Sequence, residues 1–305
     1  MKVSLISTVK NERENIEEFL KSVVKQTKKP DEFIIVDGGS TDGTLEILKK
    51  YSKKYKWIKV FQEKGASIGR GRNIAIEKAK NEIIACTDAG CILDKNWLKN
   101  ITKPFLKNKK IDVVVGVYKP YYTNDFEYFQ GLVVIKNSEK IFLSPSRMSK
   151  SLAFKKNTWK KVGGYPDLSG GEDTKFNLEL IKNNAKFAFT KDAIVYWIMR
   201  KSWKEFFKQF YKYGVGDRKS GNIWKMRKNL FLILSFWFCF LLNLYFILTL
   251  QLTNFLILLI LLLLYPIFEG IKIALISKNA KGFFYVFFFI ILKTVAYCLG
   301  GSVGK

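Results

Sequence analysis

Phe33-Ile34-Ile35-Val36-Asp37-Gly38-Gly39-Ser40-Thr41-Asp42-Gly43-Thr44 joins an apolar run directly to a turn of small and acidic residues. A buried strand that ends in an aspartate and opens into a glycine-rich turn is where open α/β sheets collect nucleotides. The pattern continues on both sides. Strand-like residues 3–7 precede a helix marked by Ile16, Phe19, Leu20, Val23 and Val24, and further strands are predicted near 58–61, 83–87 and 113–117. Strands alternating with amphipathic helices over the first 120 residues predict an α/β fold with a mainly parallel, Rossmann-like sheet covered by helices. Ligands then sit at the C-terminal strand ends, which carry Asn11 and Glu12, Asp37, and Asp88. Each of these acids alone also fits a turn or a helix cap. The glycine run matches neither the dinucleotide fingerprint nor a phosphate loop, so hydride transfer and ATP hydrolysis lose support.

Composition sets the surroundings of this sheet. The chain has 305 residues, 48% hydrophobic, with 52 Lys and Arg against 26 acids. Residues 229–305 hold only five of the basic residues and one acid, so residues 1–228 carry a net charge of +22. That excess points to an anionic partner such as lipid headgroups or phosphates, or to a Lys-rich solvated surface. Nucleic acid is not expected, because the lysines are scattered through helices rather than interleaved with aromatics on one sheet face. Histidine is absent, which excludes a serine–histidine triad, a zinc–histidine site and an imidazole shuttle. Acid and base work falls to carboxylates. Cys86, Cys91, Cys239 and Cys298 lack paired short spacings and are expected to be buried thiols in a reducing compartment. The N-terminus shows no signal-peptide pattern.

The C-terminal quarter reads as membrane. Predicted spans lie near 230–250, 255–276 and 283–301, the second interrupted by Pro266, Glu269 and Lys272, and the third carrying Lys293 with Glu269 as a possible partner. Lys225, Arg227 and Lys228 precede the first span, and Lys272, Lys278 and Lys281 fall between the second and third. The 251–254 loop has no basic residue. The positive-inside rule then predicts a multi-pass cell-membrane protein with residues 1–200 as a cytoplasmic domain and a C-terminus outside. Between them, Trp203, Phe206, Phe207, Phe210 and Tyr211 occupy one helical face within 201–228, fitting either a basic amphipathic helix at the lipid interface or one packed on the domain.

Several motifs in order give the chain a resemblance to the inverting family 2 glycosyltransferases of the GT-A fold, over roughly residues 1–215. Val9-Lys10-Asn11-Glu12 looks like the family's first nucleotide-contact loop, and Asp37 to Gly43 resembles its second. Gly69-Arg70-Gly71-Arg72-Asn73 is similar to its Gly, Arg, Asn segment, which implies Val9, Asn11, Glu12, Asp37, Arg72 and Asp88 as nucleotide-sugar contacts. Thr87-Asp88-Ala89-Gly90 stands where the family has its D-x-D metal motif. The resemblance implies a divalent cation, Mg or Mn, at Asp88, although Gly90 replaces the second acid and leaves a metal-independent enzyme open. Val162-Gly163-Gly164-Tyr165 and Gly171-Glu172-Asp173 look like the acceptor-site and catalytic elements. They imply Asp173 as the base and Glu172 as a residue orienting acceptor or loop. Without the family, Glu172 and Asp173 fit N-terminal capping of a helix through Phe176, Leu180 and Ile181. Gln209, Lys212 and Arg218 match a Q-x-x-R-W element only in part, and would contact the diphosphate or acceptor; a cationic helix beside a bilayer explains the two cations equally well.

The resemblance implies a membrane-anchored enzyme moving a sugar from a nucleotide-diphosphate donor to a hydroxyl of a lipid-linked or membrane-proximal acceptor. Alternatives are a polyprenyl phosphate glycosyl synthase and a noncatalytic nucleotide-sugar-binding scaffold.

Overall fold

A computed structural model describes residues 1–135, 148–221 and 227–303, except the side chains of residues 227–229. Lys225 and the side chains of Arg227 and Lys228, part of the basic run before the first apolar helix, lie outside the described residues. By its contacts the chain forms two units, Met1–Tyr121 with Asn137–Ile198, and Tyr122–Lys136 with Met199–Lys305.

The first unit is built on an eight-stranded sheet of β1 (Val3–Val9), β2 (Glu32–Asp37), β3 (Ile58–Gln62), β4 (Ile83–Cys86), β5 (Cys91–Leu93), β6 (Val113–Tyr121), β7 (Leu152–Lys155) and β8 (Phe187–Ile198). Its order is β3-β2-β1-β4-β7-β6-β8-β5. The pairs β1–β2, β2–β3, β1–β4 and β6–β8 are parallel, whereas β4–β7, β6–β7 and β5–β8 are antiparallel. β2 is apolar from Phe33 to Val36 and buried throughout, and β1 is buried at every position but Thr8, as strands covered on both faces must be. Helices α1 (Ile16–Val24), α2 (Thr44–Lys54), α3 (Ile68–Lys78), α4 (Trp97–Lys107) and α7 (Glu172–Lys182) belong to this unit, with the short α6 (Lys156–Lys161). α1 buries Ile16, Phe19, Leu20 and Val23, the expected stripe. On α7, Phe176 and Leu180 are buried, and Ile181 turns to solvent.

One connection places the site. The four residues Thr87 to Gly90 carry the chain from β4 near the middle of the sheet to β5 at its edge, with three strands between them in the sheet order. Asp88 sits on that crossing, on the same rim as the ends of β1 and β2, where Val9 and Asp37 are register partners.

The second unit contains α5 (Asp125–Val134), α8 (Trp203–Lys219), α9 (Arg227–Leu248), α10 (Leu252–Ser277) and α11 (Lys281–Val303). Residues 230–248, 252–277 and 281–303 form helices long and apolar enough to cross a membrane. The aromatic face of α8 packs within this unit: the Phe206 ring lies 4.7 Å from that of Phe289, and Trp203 4.4 Å from the same ring, both pairs tilted. Phe129 of α5 lies 5.5 Å from Tyr285, closing the cluster. Lys293 Nζ sits 5.3 Å over the Phe210 ring, and Glu269 lies 3.8 Å from Lys272.

Candidate active site

Two groups of side chains form on the rim of the first unit. The first locks the loops after β1 and β2 together. Asp37 is fully buried and accepts the Gly39 and Ser40 amides, the Ser40 hydroxyl and the Gln62 side-chain amide. Asn11, at φ 54°, accepts the Thr41 amide on Oδ1 at 2.9 Å, and its own amide donates to Ser40 Oγ. The Glu12 amide donates to Thr44 Oγ1 at 2.9 Å. Val9 is buried at the strand end. Asn11, Glu12 and Asp37 are thus brought to one place, and the serine and threonines of the turn supply the bonds that hold them.

The second group is ionic. Arg72, on α3 and 3% exposed, donates from Nη1 to Glu172 Oε1 at 3.0 Å and from Nη2 to Asp88 Oδ1 at 2.8 Å. Lys150 Nζ meets the other Asp88 oxygen at 3.1 Å and lies 4.3 Å over the Trp197 ring. Desolvation would raise the Asp88 carboxyl, but Lys150 and Arg72 outweigh it and hold the group well below the usual carboxylate range. Glu172 behaves oppositely. Its burial pushes it up to about 7, opposed by Arg72 and assisted by the neighbouring Asp173. Two carboxylates on one guanidinium are therefore driven apart in acidity by their surroundings, the pattern that separates acid from base roles in active sites.

Glu172 and Asp173 open α7, and Gly171 before them adopts φ 73°, a conformation that a side chain there would strain. The half-buried Asp173 carboxylate accepts the Thr174 amide at 2.7 Å. Under this cluster lies Tyr165, stacked 4.0 Å from Phe176 and 5.2 Å from the Arg72 guanidinium. Asn73 fixes the turn that delivers Tyr165: its Oδ1 accepts from Trp159 Nε1 and the Tyr165 amide, and its Nδ2 donates to the Tyr165 carbonyl. The glycine, arginine and asparagine of the 69–73 segment thus organise the 162–165 turn as well as the ion cluster.

Gln209, Lys212 and Arg218 lie on α8 in the second unit; Gln209 Nε2 bonds Tyr213 Oη at 3.0 Å and Lys212 is exposed. Lys150 was not singled out by the sequence. It follows no motif and is one of 52 basic residues.

Among the described residues, no three His, Cys, Asp or Glu side chains come together to hold a metal ion. Asp88 remains 30% exposed at its side chain, and at Gly90 a Cβ would meet nothing within 4 Å. One ionised, partly open carboxylate beside free space fits a hard cation that arrives with a diphosphate and keeps its waters, not a cation caged by protein alone.

A parallel-centred sheet with acidic loops at its C-terminal rim defines a nucleotide-diphosphosugar transferase fold of the GT-A type. The model of the family described as "Glycosyl transferase family 2" matches residues 4–170, and that of "Glycosyl transferase family group 2" matches 122–292; the chain belongs to glycosyl transferase family 2. It is 29% identical over 211 residues to a poly(ribitol-phosphate) beta-glucosyltransferase of Bacillus spizizenii, covering 66% of this chain and 33% of that protein. Over 98 residues it is 35% identical to a cholesterol galactosyltransferase of Borreliella burgdorferi, covering 32% of this chain and 27% of that one. The chain thus spans about a third or less of the length of these two relatives. Among solved structures, a mannosyltransferase of Pyrobaculum calidifontis in complex with GDP-Man and Mn2+ superposes with a TM-score of 0.56 at 21% identity, covering 72% of this chain and 64% of that chain. S. aureus TarS in complex with UDP superposes at 0.51 and 25% identity, covering 71% and 65%.

Proposed function

We propose that the chain is a membrane-anchored, inverting glycosyltransferase that moves a sugar from a nucleotide-diphosphate donor to a hydroxyl of a lipid-linked or membrane-proximal acceptor. The observation that carries this reading is the single guanidinium of Arg72 fastened to Asp88 on the rim and to Glu172 beside Asp173. It ties the donor side of the site to the base.

In this mechanism Val9, Asn11, Glu12 and Asp37 bound the nucleotide pocket, and Asp88 with Arg72 and Lys150 faces the ribose and diphosphate. Asp173 takes the proton of the acceptor hydroxyl as that oxygen bonds the anomeric carbon on the face opposite the diphosphate. The bond from that carbon to the diphosphate oxygen breaks, and its electron pair leaves with the nucleoside diphosphate. Glu172, held by Arg72, orients the acceptor or the loop that carries Asp173. A divalent cation, Mg or Mn, bound at Asp88 would neutralise charge on the departing diphosphate. The donors in complex with the structural neighbours, GDP-Man and UDP-GlcNAc, support a nucleotide-sugar partner. Gln209, Lys212 and Arg218 are proposed to meet the diphosphate or acceptor from α8. The apolar helices anchor the chain in the cell membrane, and the basic residues 272, 278 and 281 opposite the uncharged 251–254 loop favour a cytoplasmic catalytic unit.

The test is nucleoside diphosphate release by the full chain in membrane lipid extract, over a panel of nucleotide sugars, with and without Mn²⁺ or Mg²⁺. Release from one donor that is lost in Asp173→Asn is the expected result. Binding of a donor without turnover by any chain overturns the enzymatic reading in favour of a scaffold.

A further inference from the structure

Three helices of the second unit are long and apolar enough to cross a membrane, yet the company that α11 keeps differs from that of the other two. α8 runs beside it, in the same direction and over most of its length. Trp203 stacks on Tyr285 and meets Phe289 at a tilt, Phe210 lies under Lys293, and the Tyr297 hydroxyl donates to Asp217 at 2.7 Å. The backbones touch at the far end, where a Cβ at Gly300 would collide with the Tyr211 carbonyl and one at Gly214 with the Tyr297 carbonyl. α8 carries Lys204, Lys208, Lys212, Arg218 and Lys219, all but Arg218 exposed. A helix with charges exposed along its whole length does not enter hydrocarbon. A partner packed against it end to end does not cross hydrocarbon either.

Helix geometry gives the same result independently. α9 and α10 are joined by three residues and form a hairpin. α11 begins against the open end of that hairpin, where Gly282 meets Ala274 of α10. It ends against the same end of α9: Cys298 Sγ approaches the Leu232 carbonyl at 3.9 Å, and Trp237 Nε1 donates to Ser302 Oγ at 2.7 Å. Take the hydrocarbon boundary at the outer ends of the charge-free apolar runs, Leu230 on α9 and Phe268 on α10. With a rise of 1.5 Å per residue, Ala274 then lies about 9 Å outside that boundary, Leu232 about 3 Å inside it and Trp237 about 10 Å inside it. Along some 30 Å of its own length, α11 descends no further than about 10 Å into a core about 30 Å thick.

We propose that α9 and α10 alone cross the bilayer and that α11, with α8 on its flank, slants into one face of the membrane without reaching the other. Phe284, Phe288, Ile291, Val295 and Leu299 fall at spacings of four, three, four and four residues on one face of α11. Phe284 and Phe288 are 61% and 52% exposed, and the other three are half-buried. This stripe seats in the acyl boundary, at the depth typical of interfacial helices, while the α8 lysines meet anionic headgroups. Val303 is then on the same side of the membrane as the first unit.

The proposal rests on the membrane-anchored reading, and cysteine accessibility in sealed vesicles of known orientation separates the two. Lys50→Cys reports the first unit, Thr253→Cys the first turn of α10 beside the α9–α10 link, and a cysteine in a short tail added after Lys305 the chain that follows α11; the unsubstituted chain sets the background. A membrane-impermeant maleimide should label Lys50→Cys and the tail cysteine from one face and Thr253→Cys only from the other. Labelling of the tail cysteine together with Thr253→Cys overturns the proposal and leaves the anchored reading standing. Labelling of Lys50→Cys and Thr253→Cys from the same face overturns the anchored reading itself.

Discussion

Replacing Glu172 by Gln tests whether burial beside Arg72 governs the chemistry of the ion cluster. Burial raises Glu172 from its ordinary 4.5 to about 7, with Arg72 opposing and Asp173 assisting. A carboxyl raised in this way holds its proton more tightly folded than unfolded. Its favourable contribution to stability is complete below about pH 4.5, shrinks as the pH rises, and is lost above about pH 7. At about 1.4 kcal/mol per pH unit, a rise from 4.5 to about 7 amounts to about 3 kcal/mol. Gln fills the same space, can still accept from Arg72, and does not titrate. The stability of the native chain relative to Glu172→Gln should therefore fall by about 3 kcal/mol between pH 4.5 and pH 8. The measurement is urea unfolding of both full-length chains in detergent, followed by tryptophan fluorescence at half-unit steps of pH. A difference that stays flat within about 1 kcal/mol refutes the reasoning, because it means that Glu172 titrates alike folded and unfolded. A difference that grows in the native chain's favour as the pH rises shows the Arg72 pair outweighing desolvation, the reverse of the expected sign.

Asp173→Asn should lower kcat by about a hundredfold to ten-thousandfold, the contribution of a positioned base, and leave donor affinity in equilibrium binding within twofold. Lys150→Met removes one of the two cations on Asp88; donor binding by calorimetry should weaken about tenfold to a hundredfold, as for a lost charged hydrogen bond. Phe176→Ala empties a site buried to 1% beneath Tyr165 and should cost about 3–5 kcal/mol in unfolding free energy, with activity lost at a lower temperature than in the native chain.

The first half of the sheet was legible because β2 and β4 are short apolar runs followed by Asp37 and Asp88, and its first helix spaces Ile16, Phe19, Leu20 and Val23 on one stripe. The other half was not. β5 has three residues and β7 has four, too few to show a period, and β8 mixes Lys191 and Asp192 into an edge-side strand. The carboxylates stand out by motif, but their shared partner does not, since Arg72 and Glu172 stand 100 residues apart and no periodicity links them. Lys150 was invisible for the same reason in stronger form. Its role comes entirely from the strand order that sets it beside Asp88. For α8 the hydrophobic stripe was read correctly as one face, and both of its readings left out the partner, because a stripe records that something apolar covers it and not what.

The crossing from β4 to β5 also constrains how such a site can change. Asp88 is carried on four residues whose two ends are pinned by ladders at the middle and the edge of one sheet, with the Gly90 carbonyl itself accepting from the Ile198 amide. Inserting or deleting a residue there would displace a strand. Lineages that diverge at this rim can do so only by exchanging side chains in place, so the Gly90 position, which faces open space, is where a second acid can be gained or lost without moving the backbone.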